Sequence, residues 1–361
     1  MIAETAIQKV RRFMDHNHLD GVLFRKRSNF AWLTGGGSNH IVNTTELGVA
    51  DLLVFRDKVY CVTNRMEYAR IRDEELLGGE VEFIATEWYE EQDRAIRELG
   101  AGKNIASDAP VAGLIDLSSE LATLRFCLSE EEMEKYRWLG KKSAWAVEST
   151  CKEIEPGWTE HEIAAHLAAK VMKEGICPHV ILVSTDDRVF KYRHPIPTSK
   201  KLEKYAMVVI CAEKWGLIAN ATRFVHFGKL PQELEENKRK LARIDAIMNA
   251  STRPGVMIKD IFRQAVTAYE EAGFLNDWKY LHQGGPTGYA TREFLATPER
   301  EEVVQLHQAF AWNPAIKGIK SEDTILVKEN ENEFLTHTGD WVYIETEVNQ
   351  QMYLRPDILV K

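Results

Sequence analysis

The chain has 361 residues, a length that accommodates about two domains. Its 44% apolar and 28% charged residues are those of a globular protein, and its formal charge of −9 argues against a general nucleic-acid or anionic-membrane binder, since both reward a basic excess. Cys61, Cys127, Cys151, Cys177 and Cys211 are odd in number and include no C-x-x-C pair, so they read as reduced thiols rather than a disulfide framework or a zinc site. With no apolar signal core at the amino terminus and no apolar run of membrane-spanning length, the expected location is the cytoplasm.

Ile2, Ile7, Val10 and Met14 mark one face of a first helix. DGVLF (20–24) and NFAWLTG (29–35) read as strands, and ADLLVF (50–55) with VYCV (59–62) as a hairpin closed by Arg56-Asp57-Lys58. MEYARIRDEELL (66–77) reads as a helix, VEFIA (81–85) as a strand, WYEEQDRAIRELG (88–100) as a helix stopped by Gly100, and KNIASD (103–108) as a strand. Such alternation predicts a sheet covered by helices, a smaller mixed α/β domain over residues 1–128.

The second domain, residues 129–361, opens with Ser129 and Glu132 at capping-box spacing and a long helix that Pro156-Gly157 ends. It carries an internal repeat. Residues 155–176 resemble residues 253–274, matching Pro156 with Pro254, Gly157 with Gly255, Glu162 with Asp260, Ile163 with Ile261 and Gly175 with Gly273, each pair 98 residues apart. The first copy leads into HVILVS (179–184), a predicted hairpin around RVFKYRHPIP (188–197), and AMVVICA (206–212). The second leads into LHQGGPTGY (281–289), AFAWNPAI (309–316), DTILV (323–327) and EFLT (333–336). The expected fold class is α+β: two helix-plus-antiparallel-hairpin modules about a pseudo-twofold axis, sheets inside and helices outside, enclosing a groove of the kind that holds a site.

The order of short motifs completes the reading. The Pro156–Glu160 helix start, the segment holding His194, Asn220-Ala221-Thr222-Arg223, the bend after His282, Asn313-Pro314 and Glu322-Asp323-Thr324 follow one another in the chain. Together with Asn29 and Leu33-Thr34-Gly35 near the start, they resemble the creatinase, prolidase and aminopeptidase P family over essentially the whole length. The resemblance implies a pita-bread fold, and in the peptidases of that family two divalent ions held by two Asp, one His and two Glu. Carried over one position at a time, those ligands fall on Val209, Asn220, Pro286, Asn313 and Glu322. One carboxylate of four remains, and valine and proline offer no donor atom, so two adjacent dications would repel each other unscreened. No metal and no other cofactor is therefore expected.

Creatinase, which cleaves a C–N bond without metal through a histidine, implies a role for His194 as general acid and base. The expected catalytic set is His194, His282 and Glu322, with Asn220, Asn313, Arg223 and Tyr289 binding substrate. His282 serves either the chemistry or the glycine-rich bend after it, and Arg223 either a substrate or an internal ion pair. A metal-free Glu322 makes sense if it meets a cationic or hydrogen-bond-donating substrate. The leading expectation is a hydrolase of a C–N bond in a small molecule or short peptide, with no nucleic acid or membrane partner. A non-catalytic peptide- or protein-binding module and a metallo-aminopeptidase rewired around His194, His282 and Glu322 are the alternatives. The resemblance also implies a homodimer, with His40 or Trp88 reaching the partner's groove.

Overall fold

In the computed structural model, which describes residues 2–76 and 81–361, the chain separates into two units: Met1–Ser129 with Trp215–Leu217, and Glu130–Lys214 with Ile218–Lys361. In the first unit, α1 (Glu4–His16) buries Ala6, Ile7, Val10 and Met14, one stripe at helical spacing. Then come β1 (Gly21–Lys26), α2 (Arg27–Thr34), β2 (Leu47–Phe55) and β3 (Val59–Asn64). After them come α3 (Tyr68–Arg70) with a π-helical turn over Ile71–Glu75, β4 (Val81–Thr86), α4 (Gln92–Leu99), β5 (Ile105–Ser107), β6 (Ile115–Asp116) and α5 (Ser118–Thr123). The strands form one sheet in the order β4-β3-β2-β1-β5-β6. The end of the predicted 66–77 helix, Leu77, lies outside the described residues.

One predicted strand is a helix. NFAWLTG forms most of α2, not a strand, because Asn29 to Thr34 are buried on every side and a short, wholly buried run has no period to read. Buried Asp108 fixes its start by accepting hydrogen bonds from the backbone N–H groups of Arg25 (2.8 Å) and Lys26 (3.1 Å) and from Asn29 Nδ2 (2.7 Å). Gly35, at φ 68°, ends it.

The second unit begins with α6 (Glu130–Glu153), α7 (Glu160–Met172), β7 (Cys177–Thr185), α8 (Asp187–Lys191), β8 (Tyr205–Lys214) and β9 (Leu217–His226). It continues with α9 (Gln232–Ser251), α10 (Ile258–Glu271), β10 (Gly284–Thr287), β11 (Ala309–Trp312), β12 (Ala315–Ile316), β13 (Ile319–Lys320) and β14 (Asp323–Leu326). β15 (Glu333–Phe334), β16 (Tyr343–Val348), β17 (Gln351–Pro356) and β18 (Ile358–Val360) complete it. The repeat in the sequence is a repeat in space. α6 and α9 end 98 residues apart, and α7 and α10 start 98 residues apart. Gly157 N–H donates to Leu202 O (2.8 Å) where Gly255 N–H donates to Val304 O (2.9 Å). α7 starts with a full capping box: Thr159 Oγ1 accepts from Glu162 N–H (3.1 Å) and Thr159 N–H donates to Glu162 Oε2 (2.7 Å).

Two sheets, β18-β9-β8-β7 and β10-β11-β14-β15, carry the halves. Thr222 N–H donates to Glu322 O (3.1 Å) and Asn220 N–H to Thr324 Oγ1 (2.7 Å), so β9 of one half lies against the Glu322 segment of the other. Ile261, Phe262 and Tyr269 of α10 pack with Leu241, Ile244 and Met248 of α9 and with Val209, Phe224, Phe310 and Trp312 of the strands in one core. Each such side chain contributes about 1.5–3 kcal/mol when fully buried.

The predicted hairpin around residues 188–197 is not one. The segment is α8 followed by irregular chain carrying His194. Pro195 and Pro197 lack the N–H groups a ladder needs. Buried Glu160 gathers the segment's ends instead, accepting from Thr185 N–H (2.8 Å), Thr198 N–H (2.9 Å) and the Arg188 guanidinium. Among the described residues no helix is long and apolar enough to cross a membrane.

Candidate active site

The site grows around Glu322, which immediately precedes β14 and is 3% exposed. Its two oxygens hold different cations. Arg292 Nη2 donates to Oε1 (3.0 Å), Lys320 Nζ donates to Oε2 (2.7 Å), and Thr222 Oγ1 also donates to Oε2 (2.8 Å). Burial alone would raise the Glu322 pKa, but Lys320 and Arg292 hold it down at about 2, so the carboxylate is ionised throughout the physiological range. With three donors on two oxygens, Glu322 is already matched by the protein's own charges. The cationic substrate expected from the sequence finds its counter-ion taken.

Local backbone geometry delivers these groups. Lys320 ends β13 two residues before Glu322, and Thr222 lies on β9 opposite that segment. Arg292 comes from the loop after β10, folded back by Glu293 N–H on Pro286 O (2.8 Å) and Ala296 N–H on Gly284 O (2.9 Å). Asn313 Oδ1 accepts from Arg292 Nη2 (3.1 Å), and Asn313 Nδ2 donates to His282 O (3.0 Å). That approach requires glycine at 284: φ is +101°, and an added Cβ would stand 2.2 Å from Ala311 O and 2.7 Å from Asn313 Oδ1. Tyr269 Oη donates to Gln283 Oε1 (2.9 Å), which braces the turn next to His282.

The two histidines meet here. The rings of His194 and His282 are 5.8 Å apart, centroid to centroid. Burial, then Arg292 and His194, push His282 down to about 4. Partial burial and then Lys320 lower His194 below its ordinary value, with Glu322 opposing. Both imidazoles are therefore neutral at neutral pH. His194 retains solvent exposure, while His282 Nδ1 is buried with no hydrogen-bond partner among the described residues. Arg193 anchors the His194 segment by donating to Ile316 O (2.9 Å). Asn220 lies two residues before Thr222 on β9, so the two share a strand face. Its Nδ2 donates to Thr287 Oγ1 (3.3 Å), and its Oδ1 is buried without a partner among the described residues. Burial pushes the nearby Cys211 thiol up to about 12, with Glu322 adding to the effect, which makes it a poor nucleophile.

The structure thus brings together His194, His282, Glu322, Asn220 and Asn313, and corrects two other assignments. Arg223 does not bind substrate. It is wholly buried, paired with Glu148 (3.2 Å) and Asp323 (3.0 Å), and donates to Thr336 O (2.8 Å). Arg355 extends this network by joining Asp323 to Asp245 (2.7 Å each). Tyr289 is 4% exposed and its hydroxyl donates to Glu132 Oε1 (2.7 Å), which ties the loop to α6 rather than offering it to a ligand. Sequence reasoning missed Arg292 and Lys320. Lys320 carried a readable signal: a buried carboxylate without metal requires a cation, and Lys320 stands two positions away. Arg292 carried none, because loop geometry alone aims it.

The donor set does not fit a pair of metal ions. Val209 is part of the apolar core and Pro286 lies in β10. Among the described residues no three His, Cys, Asp or Glu side chains gather to hold a metal ion. Arg292 and Lys320 already stand against the one surviving carboxylate. Each unit charge of a cation about 4 Å from either would be opposed by about 4 kcal/mol at the effective dielectric of a protein surface, and more in the interior.

Comparison with known proteins agrees with this fold. The family model for metallopeptidase family M24 matches residues 134–329, and that for the creatinase/prolidase N-terminal domain matches residues 7–138. The chain is 26% identical over 240 residues to an uncharacterized peptidase of Staphylococcus epidermidis, a match spanning 61% of this chain and 65% of that relative. It is 22% identical over 358 residues to a Xaa-Pro dipeptidase of Pyrococcus horikoshii, spanning 93% and 98% of the two chains. The crystal structure of an X-Pro aminopeptidase from Thermotoga maritima superposes with a TM-score of 0.78 at 18% identity, covering 98% of this chain and 99% of that one.

Proposed function

The chain belongs to metallopeptidase family M24, and from that premise we propose that it is a hydrolase of a C–N bond in a small polar substrate that works without the family's metal pair. The observation that carries the reading is the pair of neutral imidazoles, His194 and His282, 5.8 Å apart beside a carboxylate whose counter-ions are built in. His194 takes a proton from water, and the water oxygen adds to the carbonyl carbon. His282, neutral at working pH, donates its N–H to the oxygen that becomes negative, as an uncharged imidazole can. The imidazolium of His194 then returns its proton to the leaving nitrogen as the C–N bond breaks, giving a carboxylic acid and an amine. Asn220 and Asn313 frame the substrate with neutral amide groups. A positioned acid–base contributes about 10²–10⁴-fold, and substrate positioning supplies much of the remainder.

A panel of small amides, guanidino compounds and Xaa-Pro dipeptides tests the proposal in chelator-treated protein. Turnover that falls about 10²–10⁴-fold in H194A is expected. Undiminished turnover in H194A overturns the role of His194. The same reading takes the protein to be cytoplasmic, on the strength of an odd number of cysteines with no C-x-x-C pair, and homodimeric, as the family resemblance implies. Sedimentation of the purified chain checks the second point.

A further inference from the structure

We infer that the Arg292–Lys320–Glu322 cluster is a receptor for a small carboxylate, so that the substrate of the proposed hydrolase carries such a group next to its scissile C–N bond. The inference rests on that functional reading for the word substrate, but the anion site stands on its own observations.

The first is charge. Arg292 and Lys320 share one carboxylate, their side chains 9% and 7% exposed and that of Glu322 4%. The flanking His194 and His282 are neutral, as are Asn220 and Asn313, so the cluster has a net charge of one positive unit. The next acid along the chain, Asp323, does not balance it. Its oxygens are occupied by Arg223 (3.0 Å), Arg355 (2.7 Å), Thr336 Oγ1 (2.8 Å) and His337 (3.1 Å). Buried ions are normally paired, and a monoanion completes this set.

The second is hydrogen bonding. Arg292 Nε is buried and has no acceptor among the described residues. Among the described residues Lys320 Nζ gives one hydrogen bond, to Glu322 Oε2, out of the three an ammonium can make. Buried donors without acceptors are rare in native proteins, and this one belongs to a cation that shares the Glu322 carboxylate with Lys320, whose ammonium has N–H groups to spare. A guanidinium edge plus an ammonium suits a second carboxylate, which accepts at two oxygens. His194, exposed at the edge of the cluster, marks the side from which a ligand enters and sets the reacting bond beside the carboxylate.

Calorimetric titration of the full chain with sodium N-acetylglycine, sodium acetate, the uncharged N-acetylglycinamide and inorganic phosphate, at constant ionic strength, tests this. N-acetylglycine should bind more tightly than acetate, the amide should show no binding, and doubly charged phosphate should bind more weakly than acetate. R292K keeps the charge but loses Nε and should weaken N-acetylglycine binding about 10- to 100-fold, the worth of a charge-assisted hydrogen bond. E322Q removes the competing carboxylate and should tighten it. Equal binding of acid and amide, tighter binding of phosphate than acetate, or unchanged affinity in R292K overturns the inference. Carboxylate binding without turnover of any amide would retain the receptor and remove the hydrolase. Turnover of uncharged amides without carboxylate binding would do the reverse.

Discussion

Lys320 Nζ donates to Glu322 Oε2 across 2.7 Å, at a position where the family resemblance implies a metal ligand. This ion pair, reinforced by Arg292 on the other oxygen, turns a binding place for cations into one that supplies them.

Removing the carboxylate should cost more than removing a surface charge. E322Q leaves Arg292 and Lys320 buried without their anion, and breaking such a pair typically costs about 3–5 kcal/mol. Urea unfolding at pH 7 measures it. The acid limb carries the same signature. Glu322 titrates at about 2 in the folded chain against 4.5 as a free group, so its stabilisation is complete above 4.5 and is lost as pH falls through about 2. E322Q should lack that limb.

His282 acts in the same direction at higher pH. Its folded value of about 4 lies below 6.5, so the unfolded chain takes up the proton first and stability falls as pH drops from about 6.5 to about 4. H282Q should flatten that part of the curve of melting temperature against pH.

The rate should follow the neutral form of His194. Because its pKa is lowered, activity should rise with pH with a midpoint below the ordinary imidazole value of 6.5. Lys320 is one of the causes, so K320M should move the acid limb of kcat/KM to higher pH. An unmoved limb would separate His194 from the rate-determining proton transfer.

Two buried positions should tolerate almost nothing. R223M strips Glu148 and Asp323 of their shared cation and should destabilise by about 3–5 kcal/mol, a loss seen in urea unfolding. G284A forces Cβ against Ala311 O and Asn313 Oδ1 at a φ of +101°. It should reduce both melting temperature and turnover, since Asn313 also holds His282 O and Arg292.

Much of this was readable before any coordinates. The 98-residue offset between Pro156 and Pro254 carried over to the ends of α6 and α9 and the starts of α7 and α10. Motif order led to His194, His282, Asn220, Asn313 and Glu322, which the fold collects. α2 was misread because burial on all sides erases periodicity, and the 188–197 segment because the clamp at Glu160 acts from a distant helix. Arg223 stayed ambiguous because β9 is buried throughout, so alternation does not tell a lining residue from a core one. Arg292 was invisible because its place depends on how the 288–295 loop folds back on β10.

The most direct test is elemental analysis of the purified chain by mass spectrometry after equilibrium dialysis against manganese, cobalt and zinc, with hydrolysis assayed before and after chelation. The account predicts substoichiometric metal and hydrolysis indifferent to chelator. Two tightly held ions per chain, with activity that disappears on their removal and returns on their addition, would contradict it.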